Sequence, residues 1–300
     1  MEKYILFYLP DNKLFAETLA TKLKVAIGSA EIRNFPDNES YIRIDSDVKN
    51  RNVILVCTFD HPNNKILPLL FFAKTLKELG ANKIYLISPY LAYMRQDKRF
   101  HPGEAVTSTL FAKILSGFVD FLITIDPHLH RIHDLSEIFT IPSVTLHATK
   151  EIASFIRDNI KSAFIIGPDE ESRQWVTNVA ENANVDFVIL KKTRHDDRNV
   201  SVLVPDINDV NKTPVLVDDI ISTGASMLAT IQQLLAKGFK NPVCIGVHAL
   251  FNKETFKTLL QAGARTIITC NTIQHFSNKI DITDVIVEEI LRLESQQSSM

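Results

Sequence analysis

The chain has 300 residues, 45% of them hydrophobic and 23% charged, which is ordinary globular composition at a length that usually exceeds one hydrophobic core. A formal net charge of −2 excludes a broad electrostatic footprint for nucleic acid or an anionic membrane, and leaves room for a local basic pocket. Cys57, Cys244 and Cys270 are widely spaced, each in an apolar run, so they read as buried thiols and exclude a disulfide framework.

Along the chain, short strand-type runs alternate with helix-period segments. "KYILFYL" opens the series; its apolar run is too short for a signal peptide. A helix pattern through Phe15, Leu19, Ala20 and Leu23 follows it. "RNFPDNESYIRI" is a turn before an alternating strand. "NVILVCTF" precedes the helix pattern "ILPLLFFAKTLKELG", and "KIYLISPY" precedes the charged loop "RQDKRF" and the helix pattern "TSTLFAKILSGF". "DFLITID" ends in the histidine-rich "PHLHRIHDL". The strand runs are nearly continuous in apolar residues, as parallel strands covered on both faces require, so the expected fold class is α/β. No segment approaches the ~18 apolar residues of a membrane span, and the expectation is a soluble, cytoplasmic protein.

The second half repeats the order of the first. "RNVILVCTFDHPNNKILPLLFFAKTLKELGANKIYLISPY" and "KTPVLVDDIISTGASMLATIQQLLAKGFKNPVCIGVHAL" share a basic start, strand, polar loop, helix, glycine and strand. "FYLPDNKLFAETLA" echoes "IIGPDEESRQWVTNVA", and "FLITIDPH" echoes "TIITCNTI". A tandem pair is expected, residues 1–146 and 147–300, with the helix pattern "VIVEEILRLE" closing the second half.

The halves differ where the chemistry is richest. In "PVLVDDIISTGAS" a strand, a small-residue loop and a helix start make an anion site from unpaired backbone N–H groups and the helix dipole. Ser222, Thr223 and Ser226 add hydroxyl donors, and Gly224 permits close backbone approach. Asp218 and Asp219 can accept hydrogen bonds from vicinal hydroxyls, so phosphate plus diol points to a ribose phosphate. The first half has "FDHPNNKIL" at this place, without the paired acids or the glycine. Elsewhere, Arg95, Gln96, Asp97, Lys98 and Arg99 cluster beyond a strand, a composition suited to polyphosphate. Phe35 with Asp37 and Glu39 offers a ring and acceptors to an adenine base. His128, His130 and His133 could begin a zinc cluster, although Ile132 stands where hydrolases of the H-x-H-x-D-H type carry an acid.

"DDIISTGAS" resembles the ribose-5-phosphate loop shared by phosphoribosyltransferases and phosphoribosyl diphosphate (PRPP) synthetases. "RQDKRF", with "PY" upstream and Thr107 downstream, resembles the ATP-binding segment of PRPP synthetases, and "FPDNE" their adenine loop. With "DPH", "FIIGPDEES" and "KKTRHDDRNVSV", the chain resembles that family, most closely its archaeal-type branch.

The resemblance implies two tandem phosphoribosyltransferase-like domains, an N-terminal one with the ATP segments and a C-terminal one with the sugar loop. The implied reaction moves the β,γ-diphosphoryl group of Mg-ATP to ribose 5-phosphate. Phe35, Asp37, Glu39, Arg95, Gln96 and Asp97 would bind ATP, and Asp218, Asp219, Ser222, Thr223, Gly224, Ala225 and Ser226 the sugar phosphate. His128, through water, and Asp169 would hold Mg2+, and Lys192 and Arg194 would stabilise the transferring group. A homo-oligomer with its ATP site at a subunit interface is implied as well. The alternatives are a catalytically silent regulatory relative and a PRPP-consuming phosphoribosyltransferase. Three departures stand out: Ser222 in place of a common acid, the bulky "EESRQW" after Asp169, and the acidic "HDD" after Arg194.

Overall fold

The computed structural model describes residues 1, 3–194, 200–203 and 210–298, with side chains omitted at 171, 191–194, 200–203, 297 and 298. These residues divide into two compact units, Met1–Leu146 with Thr283–Met300, and His147–Ile282.

The first unit runs β1 (Tyr4–Tyr8), α1 (Lys13–Leu23), β2 (Ala26–Ile27), β3 (Ala30–Asn34), β4 (Ser40–Ile44), β5 (Asn52–Val56), α2 (Ile66–Glu78), β6 (Ile84–Ser88), α3 (Thr107–Ser116), β7 (Phe121–Ile125) and β8 (Ser143–Leu146). Six strands form one parallel sheet in the order β2-β1-β5-β6-β7-β8, and β3 and β4 make a separate antiparallel hairpin. β5 and β6 are buried at every position, which is why their sequences are unbroken apolar runs. α1 buries Ala16, Leu19, Ala20 and Leu23, one helical face at the spacing the sequence predicts, and stops at Lys24 in the left-handed conformation.

The second unit runs α4 (Thr149–Asn159), β9 (Ala163–Gly167), α5 (Arg173–Ala183), β10 (Phe187–Ile189), β11 (Lys191–Arg194), β12 (Val200–Leu203), β13 (Thr213–Ile221), α6 (Ala225–Ala236), β14 (Val243–Ala249), α7 (Lys253–Gln261), β15 (Thr266–Cys270) and β16 (Asn278–Ile280). Its parallel sheet has the order β10-β9-β13-β14-β15-β16, and β11 and β12 form an antiparallel ribbon. Strand for strand this is the order of the first unit, with the ribbon inserted at the same place. The expected α/β class and the internal repeat are therefore both present.

The last helix, α8 (Thr283–Ser298), behaves differently from the sequence reading, which closed the second half with it. It belongs to the first unit, where it packs on α1. The Lys22 ammonium donates to Thr283 Oγ1 at 2.6 Å and pairs with Asp284 at 2.9 Å, while the N-terminal amine pairs with Glu294. The helix pattern gave the element; these polar contacts and the apolar face of α1 gave its place.

Superimposing Pro10-Asp11 on Pro168-Asp169 and following the parallel registers sets Thr58 and Phe59 where the second unit has Asp218 and Asp219. Phe59 is 0% exposed and packs edge-on against Phe111 at 5.0 Å. Lys65, at the entrance to α2, is also buried: its ammonium donates to Thr58 O at 2.9 Å and pairs with Asp60 and with Asp11. A ring and an internal cation thus fill the slot that in the second unit is lined by carboxylates and a small-residue loop. All three cysteines are free and buried, and burial pushes the Cys244 thiol up to about 12. No described helix is long and apolar enough to cross a membrane.

Replacing Lys65 by Met should destabilise the chain by about 2 kcal/mol in urea denaturation, because Asp60 loses its counter-charge while Asp11 remains hydrated. The double variant with Asp60→Asn should recover part of that loss; no recovery would mean that packing, not charge, makes the lysine necessary.

Candidate functional site

In the second unit, β13 reads Thr-Pro-Val-Leu-Val-Asp-Asp-Ile-Ile and continues past both acids. The sequence places Asp218 and Asp219 at a strand end; the ladder instead carries on to Ile220–His248 and Ile221–Ala249, so both lie inside the strand's last half. Asp218 Oδ1 accepts from the main-chain N–H of Asp219 at 3.0 Å, which curls the first carboxylate over the backbone of the second. Both residues are half-buried, at the carboxyl edge of the sheet where open α/β proteins bind ligands.

Ser222 and Thr223 lead to Gly224, which caps α6 at φ +75. A side chain there would be doubly disfavoured, since an added Cβ would sit 2.8 Å from Thr255 Cγ2 of α7. The loop is thus backed by α7, whose own N-terminus is capped by Asn252 accepting from Thr255 N–H at 2.9 Å. Thr223 is exposed at the tip, α6 has no acid in its first turn, and Thr230 of the second turn donates to Ser226 O at 2.9 Å. Ala225 N–H donates to Thr223 Oγ1 at 3.4 Å, and the hydroxyl-bearing turn stands at the positive end of the α6 dipole, a place where anions are favoured.

Asp169 lies two residues past β9 and caps a short 3-10 turn, its Oδ1 accepting from Ser172 N–H at 3.2 Å. Just after it, Arg173 makes a two-point pair with Glu170, whose hydrogen bonds hold the Glu170 carboxyl below the usual range. Within the "EESRQW" departure, Glu170 and Arg173 thus satisfy each other locally. Lys192 and Arg194 lie on β11, paired in register with Val202 and Val200; their side chains lie outside the described residues, as do residues 195–197 of the "HDD" segment.

In the first unit the β3–β4 hairpin presents Phe35, Asp37 and Glu39 at its tip, all exposed, the ring 42% so. The turn is fixed by Phe35 N–H to Glu39 O at 2.8 Å and by Asn38 in the left-handed region. The Phe35 ring meets Tyr41 edge-on at 5.8 Å, and the Arg33 guanidinium lies 4.9 Å from Phe35 and 4.1 Å from Tyr41. Arg33 was not singled out from the sequence, though its position two residues before Phe35 on the same strand face is a signal that could have found it.

The loop after β6 carries Arg95 exposed and Gln96 half-buried, with Gln96 O accepting from Ser108 N–H at 3.3 Å. Asp97 turns inward. Its side chain is 1% exposed and takes Arg131 Nη1 at 2.9 Å and Arg131 main-chain N–H at 3.1 Å. Burial acts to raise its pKa, but the hydrogen bonds and charge of Arg131 outweigh it and hold the carboxyl below its ordinary range. Further along, Glu104 accepts from Phe100 and His101 N–H at 2.7 and 3.1 Å, closing the far end of the loop.

The loop after β7 holds His128, half-buried, and His130, exposed, with their Nε2 atoms 2.6 Å apart. His133 turns its main chain to Glu137, whose carboxylate also serves Asp134 in a capping box. Among the described residues no three His, Cys, Asp or Glu side chains gather as a metal site, so the H-x-H-x-x-H string does not close into a zinc cluster.

A family profile described as the N-terminal domain of ribose phosphate pyrophosphokinase matches residues 4–118, and one described as a phosphoribosyl transferase domain matches 134–284. A ribose-phosphate pyrophosphokinase of Saccharolobus solfataricus is 34% identical over 92% of this chain and 95% of its own length. The chain belongs to the ribose-phosphate pyrophosphokinase family. The namesake protein of Sulfolobus acidocaldarius is 35% identical over 90% of this chain and 93% of its own length, and both relatives are archaeal. The fold of a phosphoribosylpyrophosphate synthetase from Mycobacterium smegmatis superposes with a TM-score of 0.83, at 23% identity, over 98% of this chain and 99% of that one. The ribose-phosphate pyrophosphokinase family matches the chain across both units, as the tandem of phosphate-loop and arginine-rich segments led one to expect.

Substituting Gly224 by Ala should raise the ribose 5-phosphate requirement well over tenfold and cost about 1–2 kcal/mol of stability, from the strained backbone and the Thr255 contact. An unchanged sugar requirement would detach this turn from phosphate binding. Because Asp97 has a lowered folded pKa, its contribution to stability is present above about pH 4 and lost as pH falls further. Asp97→Asn should therefore be less stable than the parent at pH 7, with the difference shrinking as pH falls below about 4, by thermal unfolding.

Proposed function

We propose that this chain catalyses diphosphoryl transfer from ATP to ribose 5-phosphate, giving PRPP and AMP. What carries the reading is the β13–α6 junction of the second unit, where paired carboxylates meet an anion-binding helix start within a chain of this family. The phosphate of the sugar sits on Ser222–Ser226, and the diol is held by Asp218 and Asp219. The anomeric oxygen attacks the β-phosphorus of ATP in line as the bond from that phosphorus to the α,β-bridging oxygen breaks. AMP carries that oxygen away, and the hydroxyl proton passes to solvent. Such transfers are governed by positioning and charge stabilisation.

Adenine rests against Phe35, with Asp37 and Glu39 as acceptors. The exposed position of that hairpin tip supports an ATP site completed between copies of a homo-oligomer. Arg95 and Gln96 hold the phosphates, and Asp97 serves them through its contact with Arg131. Lys192 and Arg194, by the family resemblance of their segment, would stabilise the transferring group. Mg2+ would neutralise phosphate charge; the Asp169 carboxylate is the oxygen ligand this hard ion favours, and the imidazole of His128 suits contact through water. The chain works as a soluble cytoplasmic enzyme of nucleotide biosynthesis.

Incubation with ATP, Mg2+ and ribose 5-phosphate should yield AMP and PRPP in equal amounts, and Lys192→Ala should slow both by roughly 10²–10³. Nucleotide binding without either product would sink the proposal in favour of a silent relative. Asp219→Ala should sharply raise the requirement for ribose 5-phosphate and leave that for ATP near the parent value; an unchanged sugar dependence removes Asp219 from the sugar site.

A further inference from the structure

We propose that Asp97 and Arg131 form a latch that sets the spacing between the arginine loop after β6 and the histidine loop after β7. The inference rests on the ATP reading above and adds a positioning pair to it.

The geometry is unusual for two surface loops. Asp97 directly follows Arg95 and Gln96, and Arg131 lies three residues beyond His128. One residue uses both oxygens of the carboxylate: Arg131 Nη1 reaches Oδ1 at 2.9 Å and the Arg131 main-chain N–H reaches Oδ2 at 3.1 Å. A side-chain donor alone would fix a distance. A guanidinium and a main-chain N–H from the same residue fix orientation as well, because the carboxylate plane must face both. The Asp97 side chain is 1% exposed although its neighbours Arg95, Lys98 and Arg99 are all exposed, so the chain turns this one acid inward between them. Burying a carboxylate is costly unless it is paired, and Arg131 supplies the pair.

Other contacts hold the first loop to itself, to α3 and, through Tyr93 with Asn63 and Tyr90 O with Phe59 N–H, to the segment after β5, and hold the second loop to itself. Gln96 O takes Ser108 N–H at the start of α3, Glu104 closes residues 99–104, and Glu137 braces His133 and Asp134. Asp97–Arg131 spans the two loops. It sits at the root of Arg95 and Gln96 on one side and beside His130 and His128 on the other, so a shift of either loop moves the phosphate-binding groups relative to the histidines. The Arg131 guanidinium also lies over the exposed Phe100 ring of the first loop, 5.9 Å from its centroid. The sequence marks Asp97 as a further polar ligand in a charged loop; the structure shows an acid whose oxygens are already engaged.

The test is a double-mutant cycle of Asp97→Ala and Arg131→Ala on the full chain, read by calorimetric ATP affinity in Mg2+, by KM for each substrate and by urea midpoint. Each single variant should weaken ATP binding roughly tenfold, with the ribose 5-phosphate KM within about twofold of the parent and the double no worse than the weaker single. Arg131→Lys, which keeps the charge and the main-chain donor, should recover part of the loss. Additive losses near a hundredfold, equal losses for both substrates, or losses that follow the urea midpoint alone would overturn the latch. Should the alanine variants fail to fold, Asp97→Asn, which preserves volume and one acceptor, carries the same comparison. A parent that binds ATP without making PRPP defeats the proposed reaction and leaves the binding cycle to judge the latch; a parent that does not bind ATP defeats both.

Discussion

The parallel ladder is the constraint on which the rest of this protein depends. Parallel strands joined by crossover helices all end on the same edge of their sheet, so whatever follows each strand is gathered there regardless of its distance in sequence. In the first unit this brings the loop after β6, with Arg95, beside the loop after β7, with His128. In the second it brings Asp169 after β9 beside the carboxylates of β13. Continuous burial of β5, β6 and β14 secures the registers from which this convergence follows.

The two units show how one sheet order supports different chemistry. Both insert an antiparallel pair at the same place, and in the first unit that pair displays an aromatic ring while in the second it bears the Lys-x-Arg segment. At the next strand end the second unit carries two half-buried carboxylates and a glycine turn. The first fills the equivalent space with Phe59 and the Lys65 ammonium. Packing a ring where its twin keeps acids closes that slot in the first unit with core contacts instead of polar ones.

Within that frame, polar residues do two kinds of work that their sequence neighbourhood does not distinguish. Arg95 and Asp97 are two residues apart in one charged string, yet one is exposed and the other buried on Arg131. His128 and His133 share a histidine-rich string, yet His133 serves a capping box through its main chain while His128 stands against His130. Charge patterning announces such loops without saying which side chains face a ligand and which hold the loop.

The sequence by itself determined the α/β class, the repeat and the tight glycine turn before α6. Each is local or periodic: apolar runs of strand length, helical spacing as in Ala16, Leu19, Ala20 and Leu23, and a glycine after Ser222-Thr223 where φ must be positive. Its motifs, taken together and in order, also carried the family. The tertiary structure alone decided where α8 packs, since an amphipathic helix fits either half and the contacts of Lys22 with Thr283 and Asp284 select one. It alone carried β13 beyond its acids, because ladder pairing with β14 continues where composition suggests a loop. And it alone joined Asp97 to Arg131, 34 residues away, because a buried carboxylate takes the partner that the fold brings to it and leaves no periodic trace of that choice in the chain.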